Sequence, residues 1–334
     1  MDALRHRPGP VELPPLPDGD ALADDDLQLA LTCCYELHYH SFAGVDPHWE
    51  WSPSLLGVRR LLEQSVERGL FEEVGEPTPL PQGEVATALE HLAHAGTGPS
   101  LSRWMLEHGS REEMREFCVH RSAYQLKEAD PHTWALPRIR GRAKAAMADI
   151  QHDEYGAGDC DGVHAQLFAS TLRALGLDDR YGAYLDVIPG TTLATLNLIS
   201  LFGLHRRWRG ACVGHLALFE MTSVAPMKRY AHALERLGVG PEGRRFYDVH
   251  VEADAVHEVV ALHDMVVPLV SEEPELAGDV LFGARALNAL EQRFTRSLLE
   301  PWASGRSSLL EPLPSECGQG HRAATRASAI RFNR

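Results

Sequence analysis

The sequence predicts an all-α protein of roughly ten helices. Three observations carry this expectation. Apolar residues recur at three- and four-residue steps along most of the 334 residues. The breaks between these segments hold Pro, Gly and Asp, which stop helices. No segment shows the strict alternation of a half-buried strand, and no internal repeat is present.

The elements follow in order. Residues 1–24 are rich in Pro, Gly and Asp, and a disordered lead is expected there. "ADDDLQLALTCCYELHYHSF" opens with acidic residues, which suit a helix N-terminus, and continues with helical periodicity. "SPSLLGVRRLLEQSVERGLFEEV" reads as a second helix with Pro early in it. "PLPQGEVATALEHLAHAG" and "GPSLSRWMLEHGSREEMREFCVHRSAYQLKEADP" are helical and broken by Pro and Gly. "PRIRGRAKAAMADIQHDEYG" ends at a Gly, and "GVHAQLFASTLRALGLDDRY" resumes the helical pattern. "GTTLATLNLISLFGLHRRW" is apolar all round and is expected near the centre of the core. "GACVGHLALFEMTSVAPMKRYAHALERLG", "EGRRFYDVHVEADAVHEVVALHDMVVPLV" and "AGDVLFGARALNALEQRFTRSLLEPW" complete the ordered part. Residues 303–334 lack a sustained apolar face, so a loose tail is expected.

Composition narrows the functional classes. The net charge is −15 with His neutral, which speaks against a nucleic-acid binder or an anionic-membrane binder. No apolar run approaches the roughly 20 residues of a membrane span. The N-terminus lacks the apolar centre of a signal peptide. Cys33, Cys34, Cys118, Cys160, Cys212 and Cys317 form no C-x-x-C pair. A reduced, cytoplasmic protein is expected.

Chemistry concentrates in three stretches. In "HVEADAVH", His250, Asp254 and His257 are spaced by four and three. A helix turns about 100° per residue, so Asp254 lies about 40° from His250 and His257 about 20° the other way. Val249, Val251, Val256, Val259 and Val260 flank this polar stripe. In "DEYGAGDCDGVHAQLF", Glu154, Asp161 and His164 are spaced by seven and three. They would fall within about 80° of arc on a regular helix. Gly156, Gly158 and Gly162 lie among them, which suggests a local bulge or a turn. Glu128, near the end of its helix, is a third candidate. Each of these side chains taken singly also fits a solvated surface or a structural hydrogen bond. Together they offer four carboxylates and three imidazoles without a thiolate, a donor set that suits iron or manganese better than structural zinc. Four carboxylate charges offset two divalent cations, so the count points to two metals.

The ordered set is Glu128, Glu154, Asp161, His164, His250, Asp254 and His257. It resembles the ligand pattern of the haem-oxygenase-like diiron oxidases and oxygenases, the iron-containing redox enzymes. That pattern has a Glu on the first core helix, Glu-x6-Glu/Asp-x2-His on the second and His-x3-Asp-x2-His on a later one. The resemblance covers roughly residues 110–300. It implies a haem-oxygenase-like bundle of about seven core helices over 111–302, preceded by a helical extension at 25–110 that dimerises some members. It implies two Fe, cycling between Fe(II) and Fe(III), with O2 as co-substrate and a peroxo-diiron(III) intermediate. It leaves room for an external electron donor such as a reductase, and a homodimer is expected. The function it implies is oxygenation of an amino acid or amine-bearing metabolite, foremost at nitrogen and in natural-product biosynthesis. Desaturation, oxidative decarboxylation or C–C cleavage of an amino acid or fatty acid is the alternative. A non-catalytic metal-binding module is the reading from another class.

Glu220, Tyr124 and Tyr155 are candidate substrate-binding residues, each with a structural alternative. His120 could line the same cavity. Arg206 and Arg207 could meet a substrate carboxylate, and Glu36 could approach the site or a dimer contact. The His263–Asp264 doublet suggests a metal-dependent phosphohydrolase, but further ligands for one are missing. "GAG" at 156–158 is too short for a phosphate loop, and no Gly-x-Ser-x-Gly elbow is present. A ferritin-like centre would show two Glu-x-x-His motifs. A haem oxygenase proper would not need this carboxylate set.

Overall fold

The computed structural model describes residues 2–11, 19–95 and 98–313. The described residues form helices and no sheet. In chain order they are α1 (Asp25–Glu36), α2 (Pro53–Val74), α3 (Val85–His94), α4 (Leu101–Glu107), α5 (Arg111–Gln125), α6 (Asp130–Thr133), α7 (Gly141–Glu154), α8 (His164–Ala174), α9 (Gly190–Leu204), α10 (Arg209–Arg236), α11 (Pro241–Val259), α12 (Val267–Glu272) and α13 (Ala277–Ala303).

Local chemistry sets several of the boundaries. Asp24 caps α1 by accepting from the Leu27 amide at 2.7 Å, and Asp25 and Asp26 follow in the first turn. Ser110 and Glu113 form a reciprocal capping box that starts α5 after the Gly109 break. Pro241 opens α11, where its missing N–H costs nothing. The run predicted as one helix over 242–270 widens into a π-helical turn at Val260–Val266 before α12. Pro268 supplies a reason: it lacks the N–H that a regular helix would use there.

The 28-residue α10 is the axis of the bundle. It packs against α13 and α11, and α11 in turn carries α8. Glycines allow the closest of these contacts. A Cβ on Gly214 would strike the Val280 carbonyl, and one on Gly283 would strike that of Ala211. Both contacts are backbone, so neither can swing aside. Gly214→Ala is therefore expected to destabilise the fold by about 3 kcal/mol through overpacking. Urea unfolding checks this, and a loss below about 1 kcal/mol would contradict the tight crossing.

The N-terminal helices share the core with the rest. α1 lies on α9, while α2 and α3 lie on α13. Leu27, Leu31 and Tyr35 join one apolar cluster with Phe202, Val213 and Phe282. The ends differ from the expectation. Within the lead predicted to be disordered, Leu22 is fully buried and Leu4 packs on the core. The Trp49 indole donates to the His6 carbonyl at 2.7 Å. Within the tail predicted to be loose, Ser308 donates to Glu116 Oε2 at 2.7 Å and Leu309 is buried. Isolated apolar residues give both ends something to bury, a signal too sparse for periodicity to register. Residues 12–18 of the lead and 314–334 of the tail, with Cys317, lie outside the described residues.

Candidate metal centre

Five segments converge on one cavity. Glu128 sits in the turn after α5, and Glu154 is the last residue of α7. His164 is the first residue of α8. α11 presents His250, Asp254 and His257 on its buried face, as the four-and-three spacing predicted. α10 adds Glu220. All seven side chains are buried.

Their donor atoms fall into two sets. Glu128, Glu154, His164 and His250 each offer an atom within 4.8 Å of the others, and so do Glu154, Glu220 and His257. Glu154 belongs to both. Its Oε2 lies 2.7 Å from His164 Nδ1. Glu128 Oε2 lies 3.7 Å from His250 Nε2. His257 Nδ1 lies 3.3 Å from Glu220 Oε2 and 3.7 Å from Asp254 Oδ1.

The imidazoles are aimed by their outer nitrogens. His250 Nδ1 is 2.7 Å from the Phe246 carbonyl, which can only accept, so this nitrogen carries the proton. Neutral His250 then turns a bare Nε2 toward the carboxylates. His257 Nε2 meets Asp153 Oδ2 at 3.1 Å, which leaves Nδ1 for the cavity. Such outer acceptors orient metal-bound histidines.

Electrostatics show how costly the cluster is without a cation. Burial, then repulsion from Glu154, Asp254 and Glu220, pushes Glu128 well above the ordinary carboxylate range. Burial lifts Glu154 to about 7 and Glu220 to about 8. Burial depresses His164 to about 4 and lowers His250. Burial opposes the charged form of His257 too, but its acidic neighbours Asp254, Glu220 and Asp153 outweigh it and raise His257 to about 11. The same contest leaves Asp254 below its ordinary value: burial is outweighed by His257, His250 and Ser223. Glu128 Oε2 and Asp254 Oδ2 are buried without a hydrogen-bond partner. Unpaired buried polar atoms each cost roughly 1–3 kcal/mol. Two such carboxylate oxygens in one cavity, among further oxygen and imidazole donors, fit a bound cation. The residues present therefore fit a metal.

The predicted set is only partly assembled. Six of its seven residues come together, Glu128, Glu154, His250 and Asp254 on the cavity wall and His164 and His257 in the donor sets beside them. Asp161, by contrast, is exposed in a short 3-10 turn beside Asp159 and Cys160. One regular helix through Glu154, Asp161 and His164 does not form. Gly156 (φ 82°), Ala157 (φ 51°) and Gly158 (φ 89°) adopt left-handed backbone and end α7. Gly156 also abuts the 162–163 backbone, where any Cβ would collide. Glu220 stands beside His257 instead and restores the count of four carboxylates.

Of the other candidates, Tyr124 lines the cavity. Tyr155 is 39% exposed and donates to Asp130 Oδ1 at 2.9 Å, away from the cavity wall. His120 is held between Thr192 and Ser308. Arg207 pairs with Glu67, Arg206 is exposed, and Asp264 of the His263–Asp264 doublet pairs with Arg142. Glu36 pairs with Lys127. The cavity measures about 10 Å³, room for about one water. Ala129, His132, Gln151, Leu216 and Phe219 complete its wall. The sequence singled out none of these five, nor Asp153, because each belongs to a residue type common in any helix.

The sequence model for the family described as "Iron-containing redox enzyme" matches residues 115–292, just over half of the chain. The chain belongs to this family of iron-containing redox enzymes. The six residues of the two donor sets fall inside the matched stretch, as do Asp254 and Asp161. The iron-containing redox enzyme is also similar to nitrosourea synthase of Streptomyces achromogenes subsp. streptozoticus, at 26% identity over 145 residues. That stretch is 43% of this chain and 31% of the relative, so the likeness spans about a third of that protein. Among the described residues no helix is long and apolar enough to cross a membrane.

Proposed function

We propose that this iron-containing redox enzyme is a non-haem diiron oxygenase that uses O2 to oxidise the nitrogen of an amino acid or amine-bearing metabolite. The shared position of Glu154 is the observation that carries the reading. A carboxylate common to two donor sets suits a bridge between two metals. Glu128 with His164 and His250 would hold one iron, and Glu220 with His257 the other, with the Asp254 carboxylate at hand beside His257. Bound there, two irons would supply the redox power to use O2.

The chain's own residues do the rest. The Phe246 carbonyl and Asp153 hold His250 and His257 in the tautomers that face inward. Leu216, Phe219 and Tyr124 wall the cavity and exclude water. The name of the relative, nitrosourea synthase, supports chemistry at nitrogen.

An anaerobic Fe(II) titration followed by O2 tests this reading. About two irons per chain, O2 uptake and a transient visible band are expected. Amines of the accepted class should gain oxygen at nitrogen by mass spectrometry. Trace iron with no O2 uptake would overturn the reading, and loss of two hydrogens without added oxygen would move it to desaturation.

A further inference from the structure

We propose that the N-terminal helix is a working part of the site: Glu36, through Lys127, holds the Glu128 turn in the conformation that presents its carboxylate to the cavity. This rests on the two-metal reading above. Lys127 immediately precedes Glu128, and its ammonium is buried in an ion pair with Glu36 at the end of α1. The Tyr181 hydroxyl donates to the same Glu36 oxygen at 2.7 Å. The Lys127 ammonium also sits 4.2 Å from the centre of the Tyr39 ring. Tyr39 Oη in turn lies 3.2 Å from Ser200 Oγ on α9. A cation placed this way has little freedom to move.

The turn it grips is strained. Ala129, directly after Glu128, has φ 75° and ψ −36°, a conformation that side-chain-bearing residues rarely adopt. Such a residue persists only where its surroundings over-determine it. On one side the grip is the Glu36–Lys127–Tyr181 group. On the other, Tyr155 donates to Asp130, and the Thr133 amide donates to the Ala129 carbonyl at 3.1 Å. The Asp130 amide closes the turn on the Lys127 carbonyl at 3.2 Å. The family match begins at residue 115, so α1 lies outside it. A helix beyond the matched stretch thus fixes the position of a carboxylate within it. Glu36 is a positioning residue, since it acts on the cavity only through Lys127 and the turn.

The test uses the full chain in three variants. Tyr181→Phe removes one hydrogen bond and keeps the shape. Lys127→Met leaves Glu36 as an uncompensated buried charge, and the Glu36→Met/Lys127→Met pair removes both charges together. Glu273→Gln, which breaks the Arg209 pair elsewhere on α10, controls for general destabilisation. Mn(II) is the probe, read by titration and by the spin-coupled signal of an occupied pair. Amide exchange of the 126–133 segment is read on the metal-free chain. In the folded double variant, at least tenfold faster exchange and at least tenfold weaker binding of one Mn(II) equivalent are expected. Tyr181→Phe should show the same changes in smaller measure, and Glu273→Gln neither. Wild-type Mn(II) affinity in the folded double variant overturns the proposal. If the wild-type chain binds no Mn(II), the two-metal reading fails on its own. Exchange then decides: unchanged rates in 126–133 overturn the clamp, and faster rates support it.

Discussion

His250→Ala and Glu154→Ala are each expected to abolish iron-dependent O2 consumption while leaving the bundle folded. The two substitutions fail for different reasons. His250 supplies one nitrogen to one donor set, with its outer nitrogen fixed on the Phe246 carbonyl. Glu154 serves both sets, so its loss should weaken both metal positions at once. Removal of a mere orienting partner typically costs 10–100-fold in metal affinity, so loss of a direct donor should cost more than about 100-fold. The metal-free fold should tolerate Glu154→Ala, because burial outweighs the favourable influence of His250 and His257 and lifts the carboxyl to about 7. His257→Ala is expected to follow Glu154→Ala in activity. Iron content, O2 uptake and circular dichroism on the same samples check these outcomes. Full O2 uptake by any of the three would contradict the assignment.

The metal-free protein is expected to lose stability as pH rises from about 6.5 to 8. Glu154 is raised to about 7 and Glu220 to about 8, so the folded chain holds protons that the unfolded chain has released. His257, raised to about 11, does the same above the ordinary imidazole value of about 6.5. Where the folded state binds more protons, stability falls as pH rises. The depressed groups act oppositely, but lower down. His164, at about 4, and His250 have their window below about 6.5. That of Asp254 lies at or below the ordinary carboxylate value of about 4. Between 6.5 and 8 the falling contributions therefore dominate this site. The drop should be on the order of a few kcal/mol. Urea unfolding at the two pH values measures it. Saturating Mn(II) should shrink the drop, because the cation replaces the protons and releases them on binding. A flat or rising profile for the metal-free protein would contradict the electrostatic account of the cavity.

The sequence and the structure agree most closely on α11. Three polar residues at a four-and-three spacing, flanked by valines, share one buried face whatever the rest of the bundle does. The start of α1 was legible for a similar reason, since its acidic opening acts within one turn, whereas the Ser110–Glu113 box that starts α5 went unread inside a longer helical stretch. Asp161 marks where this legibility ends. Its spacing fits a helix, but three left-handed residues at 156–158 take the chain off the helix path. The glycines signalled an interruption without fixing where residue 161 would come to lie. Glu220 shows the converse. It was visible as a single acid in an apolar helix and could be placed near the pocket. Its pairing with His257 depends on how α10 crosses α11, which spacing along one helix cannot give. The partnership of Glu36 with Lys127 spans 91 positions and needed the fold to be seen at all.

The central claim is that Glu154 lies between two metal positions. A crystal structure of the Fe(II)-loaded protein, with anomalous scattering collected at the iron edge, tests it most directly. Two anomalous peaks in the cavity are expected, both within bonding reach of Glu154, one beside His250 and one beside His257. A single peak, or two peaks of which Glu154 touches only one, would contradict it.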